Sequence, residues 1–521
     1  MNGFVQRHSP VVTGILSGFD RLIFRGYLLR LARAFLMLGF LRIRKIELRE
    51  FGHFAERCST GVKDAAQEIA HAAGRPVVYL ASAGERKDEM AREMAKREGI
   101  EEGLVVVFKT LENCMSFECF GNAKTGRVGF KRAPRKCLHL YYYLQHPAMG
   151  LMHFRLQTWF PFSLQVYVNG REWLARTLTR HHVPYVKAGN CFTHIGDLPR
   201  AQEFFDAQLT TDWPALLEGL VKTYHPTFKA IFQDYDIDYH WSASESEWAT
   251  DVMFKDTTSL ARLYPRLTRH AISTFDSPSV LRFLGGHVSK DGQVHGSLAG
   301  PVKSGLKRFP DCVRVRHAAK GNAVKLYNKE GTVLRVETTI SHPQAFKVYR
   351  SAEGGAEDVK AWRALRKGVA DMKRRAEVSQ ACNERYLEAL AAVDDERTLG
   401  ELLEQHCQAV NWRSKRVRGL QPTGQDAALL KAISRGEFLI NGLRNVDIRK
   451  LLYASPARDP KELRCRSGRI TRQLRLLRAH GLLRKVPKTH RYHLTDEGRS
   501  LVTALTAATH ASARKLMDLA A

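Results

Sequence analysis

The chain has 521 residues and carries 82 Lys and Arg against 53 Asp and Glu, a formal net charge of +29. This excess favours a polyanionic partner, while 44% hydrophobic and 26% charged residues exclude intrinsic disorder for most of the chain. The length predicts about three or four domains, and nine cysteines without a C-x-x-C pair are typical of reduced thiols in a cytoplasm.

The first apolar stretch, residues 28–41, is interrupted by Arg30 and Arg33 and is followed by Arg42. It predicts an amphipathic helix on a soluble body and not an export signal. Since no uncharged apolar window is long enough to span a bilayer, we expect no membrane partner and a cytoplasmic location.

The N-terminal third predicts an α/β arrangement followed by antiparallel strands. A strand at 18–28 is followed by alternating helices and strands, and then by alternating extended runs. These are predicted at 62–73 (helix), 75–81 (strand), 86–98 (helix), 104–111 (strand), 115–120 (strand), 136–145 (strand) and 151–160 (strand). In the last run His153, Arg155 and Gln157 share one face and are candidates for a phosphate site or cavity.

The run after Pro161 predicts a helix with Ser163 as N-cap. The dipeptide Asn169-Gly170 is also typical of a hairpin turn, so a hairpin is the alternative. Asn169 and Arg171 are candidate phosphate ligands; a sharp turn before a packed Trp173 is the competing interpretation. The signals from residue 213 to residue 283 are mostly helical.

Residues 313–340 predict a three-stranded meander, with turns at 320–322 and 329–331. Period-2 alternation places one set of apolar side chains on the core face: Val324, Leu326, Leu334, Val336 and Ile340. The same alternation collects a different set on the other face: Lys325, Tyr327, Lys329, Arg335 and Glu337.

A tyrosine between two lysines, near an arginine and a carboxylate, is the set of groups that a nicking transesterification needs. Tyr327 is the candidate nucleophile, and the candidate cations that would stabilise charge on the phosphoryl oxygens are Lys325, Lys329 and Arg335. The competing interpretation is a half-buried strand tyrosine flanked by solvated lysines. The Y-x-K strand followed by an L-R-x-E strand resembles rolling-circle replication initiators of the plasmid Rep_trans and filamentous-phage types, which lack paired histidines.

Initiators of this kind use a divalent metal, so the resemblance implies Mg²⁺ or Mn²⁺ held by carboxylates. The candidate ligands are Glu337, Asp20, and the pair Glu247 and Asp251, which would share a face of a helix. For Asp20 a surface salt bridge with Arg21 or Arg25 is the competing interpretation, and structural ion pairs compete for Glu247 and Asp251.

The region 358–412 predicts a helical connector, with an apolar seam from Trp362 to Val393. After a linker, residues 426–521 predict three helices, a hairpin and a closing helix. This order, with the run LRAHGLLRKVPKTHRYHLTDEGR, resembles winged helix-turn-helix domains of the MarR or ArsR type.

Eleven Lys and Arg residues against one acid lie between Lys461 and His493. On the third helix Ile470, Leu474 and Leu477 face inward, and the arginines face outward. The resemblance implies major-groove contact by that helix and phosphate contact by the hairpin. The residues expected to bind nucleic acid are Arg469, Arg472, Arg475, Arg478, Arg484, Lys485, Lys488, His490 and Arg491. A solvated or protein-binding face is the alternative.

No P-loop motif occurs, so we expect no nucleotide cofactor, and the Cys and His spacings disfavour zinc. We therefore predict an α+β multidomain protein with a mixed or antiparallel sheet, flanking helices, a helical connector and a C-terminal winged helix. The expected domains are 1–112, 113–350, 358–412 and 426–521.

As a function we predict a bacterial DNA-nicking initiator or transposase-like protein of a mobile element. The alternatives are a non-enzymatic winged-helix regulator and an RNA-bound protein with a basic body. RNA binding and a homodimer are both left open by the sequence.

Overall fold

In a computed structural model, the described residues are 3–82, 84–122, 127–285, 301–309, 312–352, 360–391, 399–434, 438, 442–453, 455–486 and 489–512. They form a mixed α/β architecture with a large mixed sheet, consistent with the predicted α+β class. No helix in this part of the chain combines the length and the apolar character that a membrane crossing requires.

The chain divides into two compact units. Unit 1 comprises Met1–Ile15, Thr250–Thr338 and Val378–Ala521, and unit 2 comprises Leu16–Ala249 and Thr339–Glu377.

The strands, in chain order, are β1 Val12–Leu28, β2 Val77–Leu80, β3 Gly103–Asn122, β4 Arg127–His146, β5 Gly150–Gln157, β6 Leu164–Asn169, β7 Tyr185–Ala188, β8 Cys191–Ile195, β9 Tyr239–Phe254, β10 Lys303–Arg308, β11 Val313–Ala319, β12 Asn322–Lys329, β13 Val333–Ile340, β14 Lys347–Ser351, β15 Lys360–Ala364, β16 Val410–Trp412, β17 Lys415–Val417, β18 Leu443–Arg444, β19 Leu483–Lys485 and β20 Arg491–Leu494.

The helices are α1 Gly3–Arg7, α2 Ala34–Ile43, α3 Phe51–Ala72, α4 Lys87–Arg97, α5 Gly170–Arg180, α6 Leu198–Asp206, α7 Trp213–Tyr224, α8 Phe228–Ile231, α9 Thr257–Thr274, α10 Ser277–Phe283, α11 Met372–Leu390, α12 Leu399–Cys407, α13 Ala427–Ile433, α14 Asn445–Leu452, α15 Pro460–Ala479 and α16 Asp496–His510.

In unit 2 the hydrogen-bonded strands follow the order β9-β1-β6-β5-β4-β3-β2. β2 and β3 are parallel, and the other pairs between β1 and β3 are antiparallel. Alternate side chains such as Phe24, Phe154 and Val166 join one large apolar core with residues of α2, α3 and α7. The side chains between them, which include Arg155, Gln165 and Tyr167, lie on the opposite face of these strands.

In unit 1 the strand order is β10-β11-β12-β13-β9, with β9 contributing its last residues, Thr250–Phe254. The predicted meander is confirmed: β11, β12 and β13 are joined by turns in which Lys320, Gly321, Glu330 and Gly331 all have positive φ. The core-facing apolar residues are fully buried, and every position of β13 is buried, so the polar face of this strand is covered as well.

Several predicted elements differ from the structure. Residues 239–254 form strand β9 and not a helix, because hydrogen bonding to neighbouring strands decides the conformation of a segment that is buried at most positions. Glu247 and Asp251 therefore lie on a strand, where residues four apart also share a face.

The predicted helix from Ser163 begins only at Gly170: the six residues that follow Ser163, Leu164–Asn169, form strand β6, and Asn169 is the N-cap of α5. Residues 115–120 continue β3 without a break. The connector helix begins at Met372, and Trp362 lies on β15. In each case pairing with a neighbouring strand decides the local conformation.

The C-terminal part of unit 1 contains α13 to α16 and a three-stranded sheet with the order β18-β20-β19. The predicted helices, hairpin and closing helix are present, with α15 extended back to Pro460. Ile470, Leu474 and Leu477 are buried, as predicted, in a core shared with residues of the surrounding helices.

Candidate active site: a tyrosine beside buried carboxylates

Tyr327 on β12 is hydrogen-bonded to Glu337 on β13. The phenolic hydroxyl donates to Oε2 of Glu337, and the Nζ atom of Lys325 lies 2.7 Å from Oε1 of the same carboxylate. Both side chains are buried, Tyr327 with 9% and Glu337 with 1% of its surface exposed. One carboxylate thus holds the candidate nucleophile and a candidate phosphate-binding cation together.

Glu337 is ionised at neutral pH in this environment. Burial alone raises the pKa of its carboxyl group, but the charge of Lys325 and the hydrogen bonds from Lys325 and Tyr327 outweigh burial and hold the pKa below its ordinary value. An ionised carboxylate next to a phenol is a proton acceptor in position for the deprotonation of Tyr327.

Two further cations were predicted at this face. The Nζ atom of Lys329 lies 5.3 Å from the centre of the Tyr327 ring. Arg335 is fully buried and binds Asp251 in a bidentate manner, with Nε 2.6 Å from Oδ1 and Nη2 2.9 Å from Oδ2. Arg335 and Asp251 are therefore each other's charge partners in the interior of unit 1.

Asp20 lies on β1 and is 5% exposed, so it is not a surface residue. The side chain of Asn190 donates to both of its carboxylate oxygens, at 3.1 and 3.0 Å, and Nε of Arg171 lies 3.5 Å from Oδ1. This ion pair differs from the surface pairing with Arg21 or Arg25 that competed with the metal-ligand hypothesis.

The Asn169-Gly170 turn builds the neighbourhood of Asp20. Oδ1 of Asn169 caps α5 by accepting from the backbone N–H groups of Arg171 and Glu172. A Cβ atom at Gly170 would lie 1.9 Å from the carbonyl oxygen of Phe19, so only glycine lets α5 begin this close to β1. The predicted phosphate ligands Asn169 and Arg171 instead cap a helix and pair with a carboxylate.

Glu247 on β9 contacts Arg21 and Thr339. Nη2 of Arg21 lies 3.0 Å from Oε1 of Glu247 and also contacts Glu245, and the hydroxyl of Thr339 donates to the same Oε1 at 3.4 Å. Glu247 is 8% exposed.

Two of the four predicted metal ligands converge within unit 2. One carboxylate oxygen of Asp20 lies within 4.8 Å of one of Glu247, and both residues are buried. They lie on β1 and β9, which are neighbours in the sheet. Glu337 is a buried acid of unit 1, and we refer to Asp20, Glu247 and Glu337 as the acidic triad.

The donor set of the acidic triad suits a hard divalent cation. Carboxylate oxygens are the preferred protein ligands of Mg²⁺ and Mn²⁺. Arg21, Arg171 and Lys325 each contact one of the three carboxylates, so each positive charge offsets part of the charge of its acid and would compete with a bound cation.

The remaining cavity candidates lie on the polar face of the unit 2 sheet. Arg155 and Gln157 line a cavity of about 630 Å³ that is also lined by Arg25 and Arg132. Arg155 pairs there with Glu112. His153 does not line this cavity: it is stacked on Tyr167 with 5.2 Å between ring centres, and burial lowers its pKa to about 4, so it is neutral at pH 7.

The basic C-terminal residues lie at the surface. Arg469, Arg472 and Arg475 of α15 are exposed, and the guanidinium groups of Arg475 and Arg478 lie 5.7 and 5.4 Å from the ring centre of Trp412. In the β19–β20 hairpin the basic side chains are exposed or half-buried: Arg484, Lys485, His490 and Arg491. Lys488 lies outside the described residues.

Sequence reasoning missed Asn190 as a partner of Asp20 and Arg21 as a partner of Glu247. Asn190 follows Gly189 in the turn between β7 and β8, and no motif distinguishes it from an ordinary turn asparagine. Arg21 stands beside Asp20 in the sequence, but its contacts to Glu245 and Glu247 depend on strand pairing and not on a local pattern.

No protein-family model matches the chain, and neither a curated protein nor a solved structure matches it. A functional conclusion therefore depends on the chemistry of the described residues.

Proposed function

We propose that the protein is a metal-dependent DNA-nicking enzyme in which Tyr327 forms a covalent bond with the cut strand. The observation that carries the proposal is the hydrogen bond from Tyr327 to Glu337, a buried carboxylate that Lys325 also contacts. A structural tyrosine needs only a neutral acceptor, whereas here the acceptor is an ionised carboxylate that can take up the proton of the phenol. The resemblance of the strands to rolling-circle initiators points to the same reaction.

In the proposed step the phenolic oxygen of Tyr327 attacks the phosphorus of a phosphodiester. Its proton passes to Oε2 of Glu337, the bond from phosphorus to one ester oxygen breaks, and that oxygen leaves as a strand-end hydroxyl after taking up a proton from water. Lys325 and Lys329 supply positive charge beside the nucleophile.

We propose that Asp20, Glu247 and Glu337 bind Mg²⁺ or Mn²⁺. When bound, the cation polarises the phosphoryl oxygens and offsets the charge that develops on them. Transesterification conserves the energy of the phosphodiester in the phosphotyrosyl bond, which is the property that an initiator or transposase of a mobile element requires.

The first test is metal-dependent nicking by the full-length wild-type protein. Supercoiled plasmid carrying the genomic flanks of the gene is incubated with Mg²⁺, with Mn²⁺ or with EDTA. We expect open circles that carry covalently bound protein after denaturation in detergent, and none with EDTA. Nicking without covalently bound protein would show that water, and not Tyr327, is the nucleophile. If this plasmid is not nicked at all, the result would favour the alternative of a non-enzymatic regulator.

We further propose that residues 426–521 form a winged helix-turn-helix that binds the DNA site. The order of α13, α14 and α15, followed by the β19–β20 hairpin and α16, supports this assignment. So does the exposed arginine face of α15 opposite its buried apolar face.

Arg472→Ala is expected to weaken binding to the specific duplex by about 1 to 3 kcal/mol if the side chain contacts a base edge. Fluorescence anisotropy with the flanking duplex and with an unrelated duplex measures the effect, and only the first affinity should fall. Lys415→Ala, an exposed cation on β17, is the matched control. Equal losses of affinity for both duplexes would show that Arg472 contacts a phosphate and not a base. An unchanged affinity would show that other residues contact the DNA.

A further inference from the structure

We propose that the hairpin of β14 and β15 is a stacking platform for single-stranded nucleic acid. Tyr349 and Trp362 lie directly opposite each other in this antiparallel pair, with 5.8 Å between their ring centres. Trp362 is 70% exposed and Tyr349 58%. We call the face of the hairpin that carries these two rings the aromatic platform.

The exposure of the two rings is larger than a structural role needs. A cross-strand aromatic pair stabilises a hairpin by about 0.5 to 1.5 kcal/mol through the contact between the rings. That contact uses one side of each ring. Trp362 is nevertheless the most exposed large hydrophobic side chain in the described part of the chain, so most of its surface is available to a planar partner.

The charges beside the rings select the partner. Lys347 stands two residues before Tyr349, and Lys360 two residues before Trp362, so both lysines share the face of the rings and both are exposed. The ten residues of the two strands include four cations and no acid. Aromatic rings flanked by cations match the bases and phosphates of a single strand, which offers unpaired base faces where a duplex does not.

The opposite face of the hairpin is buried, and its hydrogen bonds join the two strands to each other. Arg350 is 9% exposed and donates from Nη2 to the carbonyl of Ala364 and from Nη1 to that of Ser351, both at 2.9 Å, and Val348 beside it is buried. The backbone N–H of Leu365 also donates to the carbonyl of Phe346 at 2.9 Å. Because this face is buried and the strands are joined, the two rings lie on the exposed face side by side in advance of binding, which lowers the entropic cost of stacking.

The connecting residues 353–359 lie outside the described part of the chain, and the platform does not include them. Their sequence contributes three acids. The attraction to phosphate therefore comes from the strand residues Lys347 and Lys360, and the experiment measures that contribution separately.

Binding of the full-length protein to a labelled single strand of about twenty nucleotides tests the platform. Fluorescence anisotropy is recorded in EDTA, with oligo-dT, with oligo-U and with a duplex of the same length. Trp362→Ala is expected to weaken single-strand binding by about 5- to 150-fold, the equivalent of about 1 to 3 kcal/mol per stacked base. Trp362→Phe should retain most of the affinity. Tyr79→Ala, which removes a tyrosine that is also 58% exposed, should leave it unchanged.

The lysines have a separate readout. Lys347→Gln with Lys360→Gln should reduce the slope of log K against log salt by about 1.4, since each single-strand phosphate contact contributes about 0.7. Comparison of oligo-dT with oligo-U tells DNA from RNA as the ligand.

Single-strand affinity that is unchanged in Trp362→Ala would overturn the proposal and leave the rings as a protein-binding surface, and equal losses on duplex would overturn its single-strand character. The assay contains no metal and does not involve Tyr327, so the platform and the nicking activity succeed or fail independently.

Discussion

Tyr327→Phe is expected to abolish covalent attachment of the protein to plasmid DNA and to lower the nicking rate on the order of a thousandfold or more. The substitution removes the attacking oxygen and leaves the ring in place, and the loss of a nucleophile has effects of this size in enzymes that form covalent intermediates. The measurement is the rate of open-circle formation in Mg²⁺, together with gel retention of protein-linked DNA after detergent.

The matched control is Tyr264→Phe. Tyr264 is also a buried tyrosine of unit 1, and its hydroxyl donates to backbone carbonyls and not to a carboxylate. The Tyr264→Phe variant is expected to nick plasmid DNA at the wild-type rate. If Tyr327→Phe and Tyr264→Phe behave alike, Tyr327 is a structural tyrosine and the nucleophile lies elsewhere.

Local patterns predicted the part of the site that lies within one meander. The turns at 320–322 and 329–331 and the strict alternation between them place Lys325, Tyr327 and Lys329 on one side of β12. Since β12 and β13 are consecutive, the approach of Glu337 to Tyr327 also follows from the sequence. These contacts need no information from distant segments.

The contacts of the other acids depend on pairing between strands that are far apart in the chain. Asp20 and Glu247 were both named from the sequence, but their approach to each other within unit 2 requires β9 to lie beside β1. That pairing could not be predicted while residues 239–254 were assigned to a helix. The segment is buried at most positions, so it lacks the alternation of apolar and polar residues that identifies a strand with one solvated face.

Asp251 and Arg335 show the limit of reading residue types. The sequence offered one as a metal ligand and the other as a catalytic cation, because carboxylates and guanidinium groups near a candidate nucleophile suit those roles. The structure joins them in a bidentate pair with no exposed side-chain surface. A buried charge must be compensated, and composition does not say whether a metal, a phosphate or another side chain compensates it.

Asp251→Asn is expected to lower the free energy of unfolding by about 3 to 5 kcal/mol. The substitution leaves the guanidinium group of Arg335 charged in the interior with one carboxylate fewer, and breaking a buried ion pair in this way has that cost. Urea denaturation followed by circular dichroism measures the change as a shift of the midpoint at constant m-value. The surface pair of Arg75 and Glu98, at 3.1 Å, is the comparison, and Glu98→Gln should leave the midpoint close to that of the wild type, because exposed ion pairs add little to stability.

The double variant Asp251→Leu with Arg335→Met distinguishes a structural role of the ion pair from a catalytic one. If the pair is structural, apolar side chains of similar volume should restore most of the lost stability, because no buried charge then remains. The same variant should retain metal-dependent nicking, since Tyr327 and the acidic triad are intact. A stable double variant that cannot nick would give Arg335 or Asp251 a direct part in the reaction. A double variant as unstable as Asp251→Asn would instead show that the hydrogen bonds between Asp251 and Arg335, and not only the mutual compensation of their charges, stabilise unit 1.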